Sequence, residues 1–283
     1  MAGVMSLRVW DVEHGACAML RHGIDNQWGR LAMIDSGHSP FWKPSRHIRN
    51  VLGRTRLDYL FITNADQDHM SDLDGLWDEK IHVSTLHRNT RITPEQLRAI
   101  KEAGGPLTND IERYLQIHKG YVIPATEPFN DHMGGITVNT FGNGFQEFSD
   151  TNNLSLAVFV TFGPFKMLFP GDLEKAGWRA LLKASDFVEQ LKQTTILCAS
   201  HHGRQNGFCE EVFEHLKPRA VVISDKPIAH ETQLMVPDYR NVLQGDGVTV
   251  VGADRKRHVL TTRRDGHITF LVGDSNFWIE TEV

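Results

Sequence analysis

"TNADQDHMSDLDGL", Thr63 to Leu76, directly follows the apolar run "LDYLFI" of Leu57 to Ile62 and packs four acidic residues and a histidine into a turn. One reading is structural. Short polar side chains bond neighbouring backbone groups, so a strand, a turn and a helix use them as caps, with Asp68 capping the next helix. The other reading is chemical: Asp66, Asp68 and His69 stand where a buried strand ends, and carboxylate oxygen and imidazole nitrogen are donors that hold divalent cations.

Two further stretches decide between them. Gly171-Asp172 follows "FKMLFP", and His201-His202-Gly203 follows "TTILCAS", so three polar clusters stand at the ends of three apolar runs. Each has a plain structural explanation alone. Together they fit one metal-binding mouth, in which adjacent Asp68 and His69 reach one ion across a tight turn and Asp172 and a histidine of "SHHG" complete its shell.

The rest of the chain is consistent with a folded α/β protein. At 283 residues with 40% hydrophobic and 23% charged residues it can bury a large core. "SLRVWDV" and "ACAML" flank Glu13-His14-Gly15 like a hairpin, "RLAMIDSG" reads as a third strand, and "SRHIRNVLGRTR" as a short helix ending at Gly53. Between about 83 and 121 the pattern turns helical. "TPEQLRAIKEAGG" opens on Thr93 as cap and Pro94 at the first helical position, and "NDIERYLQIHKG" is a second helix, so this stretch reads as a helical insertion in one domain spanning 1–283. "GITVNTFG", "LSLAVFVTFG", "FKMLFPGD", "TTILCAS" and "RAVVIS" are later strands. "RHVLTT" and "HITFLV" read as a closing hairpin around Arg264-Asp265-Gly266. Two sheet-and-helix halves predict two packed sheets with helices outside, an αββα sandwich.

Charge and composition narrow the function. A formal charge of -5 excludes a generally basic nucleic-acid binder and leaves "RKRH" and "TTRR" as local footprints or solvated hairpin faces. Three cysteines without CxxC spacing argue against a disulfide framework and a cysteine zinc site. The start "MAGVMSLRVWDV" lacks the features of a signal peptide, and no run approaches the roughly 20 apolar residues of a membrane span, which predicts a cytoplasmic protein.

The order of a strand, an Asp-His loop, a Gly-Asp strand end and a final histidine resembles the metallo-β-lactamase superfamily. "LRVWDVEHGACAML", "AMIDSG", "TNADQDH", "NNLSLAVFV", "LFPGDLE" and "ASHHGRQNG" are similar, in that order, to its ComEC-like branch, the metallo-hydrolase part of DNA-internalisation competence proteins. The resemblance implies an αββα fold with a metal site between the sheets. It implies Asp68 and His69 as ligands of one ion, Asp172 as a ligand bridging two ions, His202 as the last ligand and His201 near the leaving group. Asp66 or Asp68 would hold or deprotonate the attacking water, and His201 or Arg204 would stabilise the leaving oxygen. Arg204 and Asn153 are the implied substrate-binding residues.

The other ion's site departs from the pattern. The superfamily usually carries His-x-His-x-Asp-His and ComEC relatives often His-x-Asp-x-Asp-His, whereas Asn64 and Asp66 stand here, and "TNNLSL" offers no histidine. If that site is filled, oxygens of Asn64, Asp66 and Asp172 favour Mn²⁺ or Mg²⁺ over Zn²⁺; if it is empty, the protein is mononuclear or degenerate. The expected cofactor is therefore one or two divalent ions per chain, Mn²⁺ or Zn²⁺, with Mg²⁺ the third choice. The implied function is a metal-dependent phosphodiesterase or nuclease on nucleic acid, alone or with a protein partner in a DNA-processing or defence system and not at a membrane. A carboxyl hydrolase of lactamase or thioesterase type, and a non-catalytic binding subunit, are the alternatives.

Overall fold

The computed structural model describes residues 3–24 and 27–282. In chain order its strands are β1 (Val4–Val9), β2 (Ala18–Ile24), β3 (Gln27–Ile34), β4 (Arg56–Phe61), β5 (His82–His87), β6 (Thr137–Gly142) and β7 (Leu156–Phe162). Then come β8 (Phe165–Phe169), β9 (Ile196–Cys198), β10 (Ala220–Ile223), β11 (Val259–Thr261), β12 (Ile268–Val272) and β13 (Phe277–Thr281). They form two mixed sheets, ordered β13-β12-β1-β2-β3-β4-β5 and β11-β10-β9-β8-β7-β6.

The apolar patterning explains the layering. Alternate residues of β1 (Met5, Leu7, Val9) and of β7 (Leu156, Val158, Val160) face each other with Phe165, Met167 and Phe270 in the core between the sheets. The opposite faces carry separate cores: Leu31, Met33, Leu57 and Leu60 pack under the helices of residues 67–120, and Phe159, Leu168 and Leu197 pack under the helices of residues 175–242. Strands such as β4 and β8 are buried on both faces, which is why they read as continuous apolar runs. The result is the expected αββα sandwich. Among the described residues no helix is long and apolar enough to cross a membrane.

Two details differ from the sequence reading. The helical stretch begins at Pro94 and not near residue 83, because "HVSTLH" forms β5 and pairs in parallel with β4. Its helices, Pro94–Ala103 and Asn109–Gly120, have the expected starts, with Thr93 and Gln96 forming a reciprocal capping box. The closing segments are not a hairpin either. β11 runs parallel to β10 in one sheet while β12 pairs antiparallel with β1 in the other. The chain crosses between sheets through a short turn of helix at Thr262–Asp265, fixed because the Asp265 carboxylate accepts from Thr261 N at 2.8 Å and from Arg257 at 3.0 Å. "TTRR" is therefore no solvated hairpin face: Arg263 is turned inward, its side chain 10% exposed.

Candidate metal centre

All four acids of the opening stretch have distinct partners. Asp72 accepts from Ser45 N at 2.8 Å, and Asp74 pairs with Arg113 of the helical stretch at 2.8 Å. Asp66 begins the short helix Gln67–Met70 without capping it by its side chain. Asp68 and His69, on that helix, point to the gap between the two sheets.

There they meet Asp172 and His202. One donor atom from each of Asp68, His69, Asp172 and His202 lies within 4.8 Å of the others, three of the four residues being buried. His69 Nε2 is 3.0 Å from Asp172 Oδ1, and His202 Nε2 is 3.0 Å from Asp68 Oδ2 and 3.6 Å from Asp172 Oδ2. The loop after β8 presents Asp172 through Gly171 at φ 61, where a Cβ would meet Ser155 Oγ at 2.8 Å. The Ser155 hydroxyl in turn accepts a hydrogen bond from the Asp172 backbone N–H at 3.0 Å.

The "SHHG" loop is strained. His201 (φ 50, ψ 49) and His202 (φ 54, ψ 27) are both left-handed, a conformation that costs on the order of 1–3 kcal/mol per non-glycine residue and collects at functional sites. Bonds from Ser200 Oγ to Leu173 O at 2.5 Å and from His201 N to Gly171 O at 3.1 Å hold it in place.

The histidine tautomers fit a cation. His69 Nδ1 faces Asp35 Oδ2 at 2.8 Å, and His202 Nδ1 faces the carbonyl of Ser224 at 3.0 Å. Both partners accept, so each Nδ1 carries the proton and each neutral ring turns the lone pair of Nε2 into the cluster. His202 Nε2 is buried, with the carboxylates of Asp68 and Asp172 as its neighbours. With two imidazoles and two carboxylates converging, the donor set suits a divalent ion. Without one, the rings are expected to take protons: the facing carboxylates outweigh burial, hold His69 well above the ordinary histidine range and push His202 up to about 10. Asp172 and Asp68 are held low in return, because histidine charge and hydrogen bonding outweigh their desolvation.

The remaining sequence candidates fall in three places. His201 adjoins the cluster, its Nε2 4.0 Å from Asp172 Oδ2 and its Nδ1 3.7 Å from Glu174. Arg204 reaches the rim, 3.5 Å from His14 Nε2, with its own Nε buried and unpartnered. Asp66 is not one of the four converging groups, and Asn64 donates its Nδ2 to Asp66 at 3.3 Å and to Asn152 at 3.2 Å. Asp66 accepts instead from Lys101 Nζ at 2.5 Å and from Thr151 Oγ1 at 2.9 and 3.0 Å. Asn153, expected to touch substrate, spends its amide elsewhere. Its Oδ1 accepts from Gly177 N at 2.8 Å at the start of the helix Lys175–Leu181, and its Nδ2 donates to Asp150 at 3.1 Å, so it caps a helix from a distance.

Three residues of the site escaped the sequence reading. Asp35, at φ 60 after β3, orients His69 and also accepts from Thr63 N at 2.7 Å. His14 stands 3.3 Å from both Asp68 Oδ2 and Asp225 Oδ1, its ring 4.9 Å from that of His202. Asp225 is fully buried and accepts from Gln233 at 2.5 Å. The signals were "AMIDSG" and "DVEHGA", both quoted for their resemblance but read as turns. The cavities among Arg88, Asn89 and Thr140, among Arg56, Tyr59 and Tyr121, and among Trp10, Arg21 and His47 carry none of the cluster's groups.

In its fold the chain is similar to metallo-β-lactamase-fold proteins, and in sequence it is similar to the ComEC-like branch of that superfamily. It is 22% identical over 222 residues to ComE operon protein 3 of Bacillus subtilis, covering 71% of this chain and 26% of that protein, so the chain spans about a quarter of its relative's length. Among solved structures it is similar to the CmlA β-hydroxylase E377D mutant (TM-score 0.50, 12% identity, 93% of this chain and 53% of that one). It is also similar to the metallo-β-lactamase fold protein YhfI of Bacillus subtilis (TM-score 0.48, 12% identity, 95% of this chain and 99% of that one). No family model matches. A β-hydroxylase is similar in fold, and fold alone does not fix the chemistry.

If His69 is a ligand, Asp35 sets its tautomer. Asp35→Asn is then expected to weaken affinity for Zn²⁺ or Mn²⁺ by about 10- to 100-fold, the usual cost of losing such a support. Calorimetric titration of both proteins checks this, and equal dissociation constants would show that Asp35 only shapes the turn.

Proposed function

We propose that the chain is a metal-dependent hydrolase of phosphodiesters, with nucleic acid as its substrate class. The observation that carries this reading is the convergence of Asp68, His69, Asp172 and His202 at the mouth between the sheets. These four would hold one divalent ion. Two imidazoles with two carboxylates suit Zn²⁺ or Mn²⁺ better than Mg²⁺, which prefers an all-oxygen shell. When bound, such an ion supplies a Lewis acid at neutral pH.

The chain's own residues would do the rest. His14 and Arg204 stand on one side of the cluster, nitrogen donors suited to the oxygens of a phosphodiester. Arg263 stands behind them, its Nη1 3.9 Å from the buried Asp225 carboxylate that His14 also faces. His201, whose pKa burial lowers, stays neutral near Asp172 and can hold or pass a proton at the leaving oxygen. The resemblance to DNA-internalisation proteins supports nucleic acid over a carboxyl substrate. In this reading the protein works in the cytoplasm, alone or as a subunit of a DNA-processing or defence system.

The test is turnover by protein loaded with Zn²⁺ or Mn²⁺. Bis(p-nitrophenyl) phosphate and labelled single-stranded DNA should be cleaved, and a β-lactam and a thioester should not. Cleavage of either carboxyl substrate without phosphodiester cleavage would transfer the protein to the carboxyl hydrolases. Turnover of none of them, with an ion bound, would make it a binding subunit.

A further inference from the structure

The superfamily's second ion would sit beside Asn64 and Asp66, and the structure shows what stands there. Asp66 receives Lys101 Nζ at 2.5 Å on Oδ1, Thr151 Oγ1 at 2.9 and 3.0 Å on its two oxygens, and Asn64 Nδ2 at 3.3 Å on Oδ2. Both carboxylate oxygens therefore already accept from donors of the chain. The local charge also closes without a metal, since Asn64 is neutral and one ammonium matches one carboxylate. We propose that the Lys101 ammonium takes the place of the second metal ion, so that the protein is built to hold a single divalent cation.

Lys101 is not a loose surface lysine that happens to reach Asp66. It lies in the last turn of the helix Pro94–Ala103, and its side chain is only 19% exposed. That helix is fixed to the next one by the paired bonds of Arg98 to Glu112 at 2.8 and 2.6 Å. The second helix is clamped to the Asp-His loop itself, by Gln67 to Asp110 at 2.8 Å and by Asp74 N to Asp110 at 2.9 Å. The helical stretch thus delivers a fixed positive charge to the loop, and the pair is shielded enough from water for that charge to count. A divalent ion would have to expel the ammonium and strip Asp66 of its other donors. It would find few replacements: Asn64 Oδ1 is the one buried, unpartnered oxygen of these two residues, and a single amide oxygen is a weak ligand. Where the loop offers no further histidine, a side-chain cation supplies the charge that a second metal ion would bring.

The proposal rests on the reading that Asp68, His69, Asp172 and His202 hold an ion, and the test separates the two. Metal-stripped protein is titrated calorimetrically with Mn²⁺, and with Zn²⁺ for comparison, and bound metal is counted by elemental analysis. The wild type should bind one ion per chain. Lys101→Met, which keeps the apolar stem and removes the charge, should gain a second, weaker Mn²⁺ site made of Asp66 and Asn64 oxygens. Lys101→Arg and Asp66→Asn should both stay at one ion, and circular dichroism confirms that each variant is folded. Two ions in the wild type, loss of an ion in Asp66→Asn, or a Lys101→Met protein that remains at one would overturn the inference while leaving the four-residue site standing. A folded wild type that takes up no ion would instead sink the metal-binding reading itself.

Discussion

Asp172→Asn is expected to empty the cluster of metal and to reduce phosphodiester turnover by about a thousandfold, while the protein remains folded. Asp172 is the one carboxylate that faces both histidines of the set, with Oδ1 3.0 Å from His69 Nε2 and Oδ2 3.6 Å from His202 Nε2. Asparagine keeps its shape and the backbone bond to Ser155 Oγ. It removes the negative charge, which is what a divalent cation and two imidazoles together require. Taking one partner from a buried charged set costs on the order of 3–5 kcal/mol, and at about 1.4 kcal/mol per tenfold this is roughly a thousandfold in affinity. The metal-free variant should also melt on the order of 5–10 °C lower at neutral pH, because its histidines lose the anion that balances them. Elemental analysis, turnover of bis(p-nitrophenyl) phosphate and thermal melts read the three effects. One ion per chain with wild-type turnover in Asp172→Asn would remove this residue from the site.

Much of this architecture was legible in the sequence because it is written locally. Doubly buried strands such as β4 and β8 are unbroken apolar runs, so the polar residues that end them stand out as strand-end loops. In a sandwich those loops gather at one mouth, so Asp68, His69, Asp172 and a histidine of "SHHG" group from sequence alone, and the family resemblance singles out His202. What stayed hidden depends on contacts between distant segments. Lys101 meets Asp66 across 35 positions and His14 meets Asp225 across 211, and nothing in a helix rich in charged residues marks which lysine turns inward. Asn153 shows the converse error. An asparagine beside a site looks like a substrate contact, yet the unpaired N–H groups of a helix start claim it first. The closing segments misled because "RRDG" has the composition of a hairpin turn, while the Arg257–Asp265 pair makes it a crossing between sheets.

Metal uptake near pH 7 is expected to release about two protons per ion, and the metal-free protein is expected to lose stability as the pH rises from about 6.5 to about 10. Both results follow from the same two rings. His69 and His202 are held above the ordinary value of 6.5, so each contributes stability that is fully present below 6.5 and is lost as pH rises through its folded-state value, about 10 for His202. Asp68 and Asp172 are held below their ordinary 3.8, so their contribution is present above 3.8 and is lost as pH falls through their lower folded-state values. Metal-free protein should therefore be most stable between about 4 and 6.5 and decline by on the order of a few kcal/mol toward pH 10. An ion needs the same Nε2 lone pairs that the protons occupy. Binding must then displace those protons, affinity must rise with pH across this window, and the alkaline decline must flatten once metal is bound. Calorimetric titrations in buffers of different ionisation heat count the protons directly, and thermal melts with chelator or with Zn²⁺ trace the two stability curves. Uptake with no proton release, together with chelator-treated melts that do not change between pH 6.5 and 10, would show that the two rings are neutral in the metal-free protein and that Asp68 and Asp172 do not hold them charged.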